Sequence, residues 1–564
     1  MWIIPFFIAA VLFFRVLGYG MVFDDFQLVE GVAPNLTTLA ETLKNLHGFG
    51  GVAPTEYFRP LFLTWIWFNK TFFDNSLVVL HAGVYLAYLA TVVAVYLLGL
   101  ELFNGEKKRT GAALIASLIF AVYPLHVEVV AWISAVPDAA MTLFFLVSLI
   151  SYIRFRRTGR IYWLATTTVL YLVAILFKET AAVLIVIYPL YDLIFKDRPW
   201  RLRNYIFYLI LIMEWLVWFF LRLAVVSSNF GIIGIKGAGL WGSFVQIVNI
   251  LGFYFFKSIN PYPLFPSYIT MPNPSLFMAA LTLVMVVAAW GIHFWKRKKK
   301  DLLFLLIYLL PLIPPVLLTF TGTSRIVLAE RYLYLPSVGL SLLLGSVYIS
   351  ASAGGHGTRK VICYCAFLAL LIFYGVGANR YIPVWKNEMS FWNYVQNIHP
   401  ESPTPYTKIG QAYLKMGDLD KAIQSLEGAH IRQDDEFGFQ ICYNNLLIAY
   451  TNKGDYKTTE MVIERLKREY PAFIPYYGIG FLNYWRGRET NERRYFITAR
   501  DNFESSIKKF PADASTYYYL SEIYRDLPAV AAFYSDKAEQ LDRLGSFKDK
   551  NSPFRGYTIF HKGK

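Results

Sequence analysis

The sequence predicts an all-α chain in two parts: a polytopic membrane bundle over residues 1–380, then a water-soluble α-solenoid over 381–564. Three observations carry this. The chain is 56% hydrophobic with a mean hydropathy of +0.40. Its charged residues make up only 16%, against about 25% in ordinary soluble proteins, and they are unevenly spread. Third, the composition changes near Tyr381, from apolar blocks of membrane-spanning length to charged, aromatic-rich sequence.

A helix needs about 20 apolar residues to cross ~30 Å of hydrocarbon. Apolar blocks suggest spans near 2–20, 78–101, 111–124, 138–155, 161–177, 180–195, 204–224, 275–295, 302–320, 335–352 and 360–378, about eleven in all. The first block resembles a signal-peptide core, but no small-residue cleavage site follows it, so a retained helix is expected. The run 60–73 is short and amphipathic and reads as an interfacial helix, as does 241–258.

The net charge of +15 sits mainly in short turns: Lys107-Lys108-Arg109, Arg154 to Arg160, Lys196 to Arg203, and Lys296 to Lys300. Basic turns resist translocation and mark the cytoplasmic side. Residues 20–75, 123–138, 225–274, 320–335 and 381–564 then face outward. That placement argues against nucleic acid as a partner. Cys363, Cys365 and Cys442 form neither a disulfide framework nor a zinc site.

The soluble part repeats itself. Tyr406, Ile409, Gly410, Tyr413, Gly417, Ala422, Leu426 and Ala429 fit the tetratricopeptide repeat of about 34 residues. A second unit carries Tyr443, Tyr450, Gly454, Ile463 and Pro471, but has Leu447 where the small glycine belongs. A third contains Tyr477, Tyr484, Phe503 and Pro511, and a degenerate fourth begins near Tyr517. Such helix pairs bury their apolar faces only by stacking, and the groove they form suits an extended acceptor polypeptide.

Candidate chemistry lies on the outward side. Asp24 and Asp25 follow the first span. His126, Glu128 and Asp138 flank the outward turn 123–138, Lys178-Glu179 separates two apolar blocks, and Glu330 and Arg331 precede an aromatic run. Each alone reads equally as a helix cap, a satisfied histidine or an interfacial charge. Together Arg59, Lys178, Arg325 and Arg331 place four cations on a face where cations are scarce. A lipid-linked phosphate at headgroup level explains them, because Arg and Lys there bind the phosphate and stabilise the charge it gains on leaving. A carboxylate, Asp24 or Asp25, then takes the proton of an acceptor hydroxyl. No cofactor is required. A divalent ion at His126, Glu128 and Asp138 is a minor alternative, and no recognised metal spacing is present.

The motifs Phe23-Asp24-Asp25, Phe58-Arg59-Pro60-Leu61, Tyr123-Pro124-Leu125-His126-Val127-Glu128, Pro261-Tyr262-Pro263-Leu264, Lys178-Glu179-Thr180 and Ala329-Glu330-Arg331-Tyr332-Leu333-Tyr334-Leu335-Pro336-Ser337 resemble those of the transmembrane-and-tetratricopeptide-repeat O-mannosyltransferases. That family belongs to the C-type glycosyltransferase (GT-C) superfamily. The resemblance implies an inverting transferase that moves a sugar, mannose in the eukaryotic members, from a polyprenyl phosphate to protein Ser or Thr outside the cytoplasm. Carried over, Asp24 and Asp25 form the acidic pair, and Lys178, Arg331 and Arg59 handle the phosphate; Arg325 joins them by its position on the same face. His126 and Glu128 then line the sugar or acceptor pocket, and Asp138, Glu179 and Glu330 are placed with them by their position beside the same motifs. The short repeat array looks prokaryotic, which implies an integral protein of the cytoplasmic membrane with its repeats outside. An envelope glycan or lipid acceptor is the alternative, and a non-catalytic membrane-anchored scaffold a third reading.

Overall fold

The computed structural model describes residues 1–26, 28–29, 38, 58–195, 202–225, 240–266, 299–320, 328–353, 357–429, 436–470, 474–511 and 513–541. Helix is the regular structure throughout the described residues, giving an all-α membrane bundle. The chain divides into two compact units, one holding most of Met1–Asn387, the other Glu388–Lys564.

The first unit opens with α1 (Ile3–Phe13), followed by α2 (Pro60–Phe73) and α3 (Leu77–Leu102). Next come α4 (Arg109–Val122), the short α5 (Val127–Ala131), α6 (Val136–Thr158), α7 (Ile161–Phe177) and α8 (Leu184–Phe195). Beyond them lie α9 (Leu202–Val225), α10 (Leu240–Ile259), α11 (Lys299–Leu309), α12 (Ile313–Phe320), α13 (Pro336–Ala353) and α14 (Gly357–Tyr381).

Among the described residues five helical stretches are long and apolar enough to cross a membrane: Leu77–Leu102, Ile133–Thr158, Tyr205–Ala224, Lys299–Leu317 and Lys360–Trp385. A sixth arises if α4 and the Pro124–Ala131 segment, bent by 53°, count as one span. Among the described residues, several of the apolar blocks are thus shorter helices than full-length spans. Ile3–Gly18, Ile161–Phe177 and Pro336–Ala351 are apolar but shorter. The block 180–195 begins as a 3-10 turn, Glu179–Val183, leaving α8 only 12 residues, too few to span. The expected span 275–295 lies outside the described residues.

The reason for the shortening is physical. Composition counts apolar residues, whereas helices stop where Pro124, Lys178 and the Glu330–Leu333 turn interrupt them.

Small residues let these helices approach closely, as packing within lipid requires. A Cβ on Gly99 of α3 would lie 3.0 Å from the Ala113 backbone of α4. One on Gly339 of α13 would fall 2.3 Å from the Phe304 carbonyl oxygen of α11, and one on Gly345 would meet the Ala112 carbonyl at 2.7 Å. Helix α13 is thus held between α4 and α11. That seat fixes the turn just before it, which carries Arg331.

The second unit contains four consecutive helix pairs after α15 (Glu388–Ile398). They are α16 (Pro403–Met416) with α17 (Leu419–Glu427), α18 (Glu436–Asn452) with α19 (Tyr456–Glu469), α20 (Tyr476–Thr490) with α21 (Arg493–Lys509), and α22 (Ala514–Ile523) with α23 (Pro528–Leu541). Gly417 and Gly454 turn the first two pairs at φ +83° and +79°, where a side chain is strained. Asp418 and Asp455 cap the helices that follow by accepting from the Lys421 and Thr458 amides. Gly410 packs against Leu426, and the large Leu447 finds its space at Gly478 of the next pair. The glycine missing from the second unit is supplied by its neighbour.

Candidate active site

Four interruptions between helices bring the charged motifs of the first unit together. Asp138 stands in the first turn of α6, and Lys178 ends α7 in extended backbone. The Lys178 ammonium donates to Asp138 Oδ1 at 2.5 Å, with both residues buried. Arg59 precedes Pro60, the first residue of α2, and forks onto Glu179: Nε donates to Oε2 at 3.2 Å and Nη2 to Oε1 at 2.8 Å. Burial raises the Glu179 carboxyl, but the Arg59 guanidinium beside it wins and brings it down to about 2.

Arg331 lies in the 3-10 turn Glu330–Leu333. Its Nη1 donates to Glu128 Oε1 at 2.6 Å, and its backbone N–H donates to Oε2 at 3.0 Å. Burial works against the guanidinium charge, and Glu128 more than offsets it, keeping Arg331 above its ordinary range. The guanidinium stands 5.0 Å over the Trp132 ring and 5.2 Å over Tyr332, whose ring is also 5.5 Å from the Lys178 ammonium. Such faces favour cations.

The acidic pair splits. Asp24 is exposed, whereas Asp25 is fully buried. Asp25 Oδ1 accepts from the Ser134 amide at 2.9 Å and its hydroxyl at 2.7 Å, and Oδ2 accepts from the Val22 amide at 3.2 Å. Burial pushes the Asp25 carboxyl up to about 7, against the pull of those donors. Phe23 has φ +53°, an uncommon conformation for a bulky residue, and its ring meets Trp132 edge-on at 6.0 Å. The pair is thus tied through Ser134 and Trp132 to the turn that carries Glu128.

Two clefts open here, and Arg331 lines both. The first is bounded by Phe23, Glu128, Trp132, Arg331 and Trp385. The second has Asp138, Thr142, Lys178, Arg331 and Tyr332 on its polar side and Pro311, Pro315 and Pro336 on its apolar side. One cleft is aromatic, and the other joins a cationic end to an apolar wall.

Other expected site residues stand behind these clefts. His126 is buried, with Nε2 2.8 Å from the Ser337 hydroxyl and its ring packed on Phe120, Tyr123 and Tyr334. It fastens the Tyr123-Pro124-Leu125 turn to the start of α13. Glu330 accepts from Lys257 at 3.3 Å and from the Phe265 amide at 2.9 Å, and Lys257 also donates to the Pro261 and Pro263 carbonyls. This pair gathers the Pro261–Phe265 segment. Burial raises the Glu330 carboxyl, and Lys257 partly offsets it. Arg325 lies outside the described residues. Among the described residues no group of three or more His, Cys, Asp or Glu side chains is placed to hold a metal.

The sequence did not single out Ser134, Trp132, Trp385 or Lys257. Ser134 and Trp132 do lie in the stretch 123–138, between Glu128 and Asp138, so position offered a signal. Lys257 gave none, since it ends an apolar helix as an ordinary flanking cation does.

Residues 59–228 match the family model described as dolichyl-phosphate-mannose-protein mannosyltransferase. A protein O-mannosyl-transferase of Caenorhabditis elegans is 24% identical over 70% of this chain and 57% of its own length. Protein O-mannosyl-transferase TMTC3 of Homo sapiens is 22% identical over 81% of this chain and 53% of its own. Tmtc3 of Drosophila melanogaster is 24% identical over 26% of this chain and 16% of its own. The chain spans little more than half the length of the first two relatives. The family-model match includes Arg59, Glu128, Asp138, Lys178 and Glu179, and ends before Arg331.

Proposed function

We propose that the chain is a protein O-mannosyltransferase, as the family-model match over residues 59–228 suggests, and that it moves a sugar, mannose or another hexose, from a polyprenyl phosphate to Ser or Thr of proteins on the extracytoplasmic face. The observation that carries this reading is the position of Arg331, on the wall common to an aromatic cleft and a cationic one.

In this mechanism the donor's phosphate lies in the second cleft beside Lys178 and Arg331, its isoprenoid against the prolines. The sugar reaches past Arg331 into the first cleft. The acceptor oxygen attacks the anomeric carbon as the bond from that carbon to the phosphate oxygen breaks, so the configuration inverts. The electron pair leaves with the phosphate, where Lys178 and Arg331 stabilise the added charge. The acceptor proton passes to Asp24, the exposed member of the acidic pair. Asp25, locked by Ser134, positions it. A carboxylate is a sufficient base because the leaving phosphate needs no strong acid.

The placement of charge supports the sidedness. Helix α6 begins at the site with Asp138 and ends with Arg156 and Arg157, and basic ends favour the cytoplasm. The helix pairs of the second unit are read as tetratricopeptide repeats that hold the acceptor polypeptide. A prokaryotic membrane, with an undecaprenyl-type lipid, fits the short repeat array.

The test is transfer by the purified full chain in liposomes, from a polyprenyl-phosphate mannose to a Ser/Thr peptide, read by intact mass. A hexose increment that is lost in Asp24→Asn is expected. An Asp24→Asn enzyme as active as the wild type would remove the proposed base.

A further inference from the structure

Five helical threonines of the first unit rest their hydroxyls on their own backbone, and the buried Thr142 does not. Thr64, Thr91, Thr158, Thr166 and Thr167 each donate to the carbonyl four residues earlier, at 2.7–2.9 Å. This is the usual resting place for a hydroxyl inside an apolar helix. Thr142, in the second turn of α6, is fully buried, yet its hydroxyl has no hydrogen-bond partner. The carbonyl it would normally use belongs to Asp138, the partner of Lys178.

An orphaned hydroxyl among apolar helices is costly, and native structures rarely keep one without a use. Thr142 lines the second cleft together with Lys178 and Arg331. Asp138 and Glu128 already take one donor from each of these cations. The phosphodiester of a sugar-bearing isoprenoid presents two charged oxygens to the cations, and the oxygen freed from the sugar becomes a third. A neutral donor facing it adds a hydrogen bond without adding charge, and such bonds to anions are strong.

We propose that the Thr142 hydroxyl binds the phosphate of an isoprenoid phosphate in the Lys178–Arg331 cleft, a diester while it carries the sugar and a monoester once the sugar has left, donating to an oxygen that gains charge in that step. The proposal rests on the donor site inferred above and adds a residue whose chemistry neither charge nor motif disclosed. The prolines of the apolar wall select the isoprenoid, and Thr142 with the cations selects the phosphate.

The experiment measures binding of farnesyl phosphate, farnesol and inorganic phosphate to the full chain in nanodiscs, for wild type, Thr142→Val, Thr142→Ser and Lys178→Gln. Thr142→Val should bind farnesyl phosphate about tenfold or more weakly, as loss of a hydrogen bond to an anion implies. Thr142→Ser should bind like wild type, and farnesol affinity should be the same in all four. If Thr142→Val keeps wild-type affinity for farnesyl phosphate while Lys178→Gln loses it, the role of Thr142 is refuted and the donor site stands. If wild type does not prefer farnesyl phosphate to farnesol, both fall. Inorganic phosphate competing as well as farnesyl phosphate would refute the isoprenoid part. Loss of farnesol binding in Thr142→Val would mean that the residue only holds the helices, and would refute the proposal.

Discussion

Arg331 holds Glu128 at both carboxylate oxygens, one through its guanidinium at 2.6 Å and the other through its own backbone N–H at 3.0 Å. The second bond matters because it fixes the turn as well as the side chain. A guanidinium committed to Glu128 on one side still faces two clefts and two aromatic rings.

Replacing Glu128 should therefore damage both fold and activity. Removing one member of a buried ion pair costs ~3–5 kcal/mol. Glu128 is buried but the Arg331 side chain is 14% exposed, so the lower end is expected for Glu128→Gln. Arg331→Lys keeps the charge without the fork, and should melt near wild type yet lose about a hundredfold in kcat. Thermal melting and transfer kinetics on the same preparations check both.

The acidic pair should separate by phenotype. Asp24 is exposed and its removal should leave melting unchanged while transfer falls by about a thousandfold. Asp25→Asn keeps an acceptor for Ser134 but places an amide where Val22 N–H now donates. It should fall by a smaller factor and melt lower. Equal losses in both variants, with equal melting, would contradict the split.

The pH profile follows from Asp25, whose carboxyl is raised to about 7 by burial. Ionised, it accepts all the donors that hold it, so transfer should rise as pH increases through about 7. Ser134→Ala removes one donor to the anion, which destabilises the charged form and moves that limb to higher pH. The stability sign is opposite. The folded state binds the extra proton, so this group's contribution diminishes as pH rises from about 4 towards about 7.

Glu179 behaves the other way. Held at about 2 by Arg59, it contributes stability above its ordinary range near 4.5, and loses it as pH falls through about 2. Melting should not respond to this pair between about pH 5 and 8. Arg59→Gln should lower melting throughout that window, by about 1–3 kcal/mol since both side chains are nearly a fifth exposed.

Helix seating is tested at Gly339. A Cβ there would meet the Phe304 carbonyl at 2.3 Å, so Gly339→Ala must push α13 and α11 apart at a cost of about 1–3 kcal/mol. Transfer should fall too, because α13 seats the Arg331 turn. Gly357→Ala, which meets nothing within 4 Å, is the control.

By itself the sequence determined the helical class, the change in composition near Tyr381, and which charged motifs interrupt the apolar blocks. Hydropathy and basic turns are additive along the chain, so they can be read without a fold. The alternating helices of the second unit were legible for the same reason, since Gly417 and Gly454 mark turns wherever they stand. Tertiary structure alone decided the pairings. It set Lys178 on Asp138, Arg59 on Glu179 and Arg331 on Glu128, across separations of 40, 120 and 203 residues. It also turned His126 away from the clefts, buried Asp25 while exposing Asp24, and left Thr142 facing a cleft rather than its own backbone. Charge and burial at those positions depend on which helix ends meet, and that is settled by close approach at residues such as Gly339, not by local sequence.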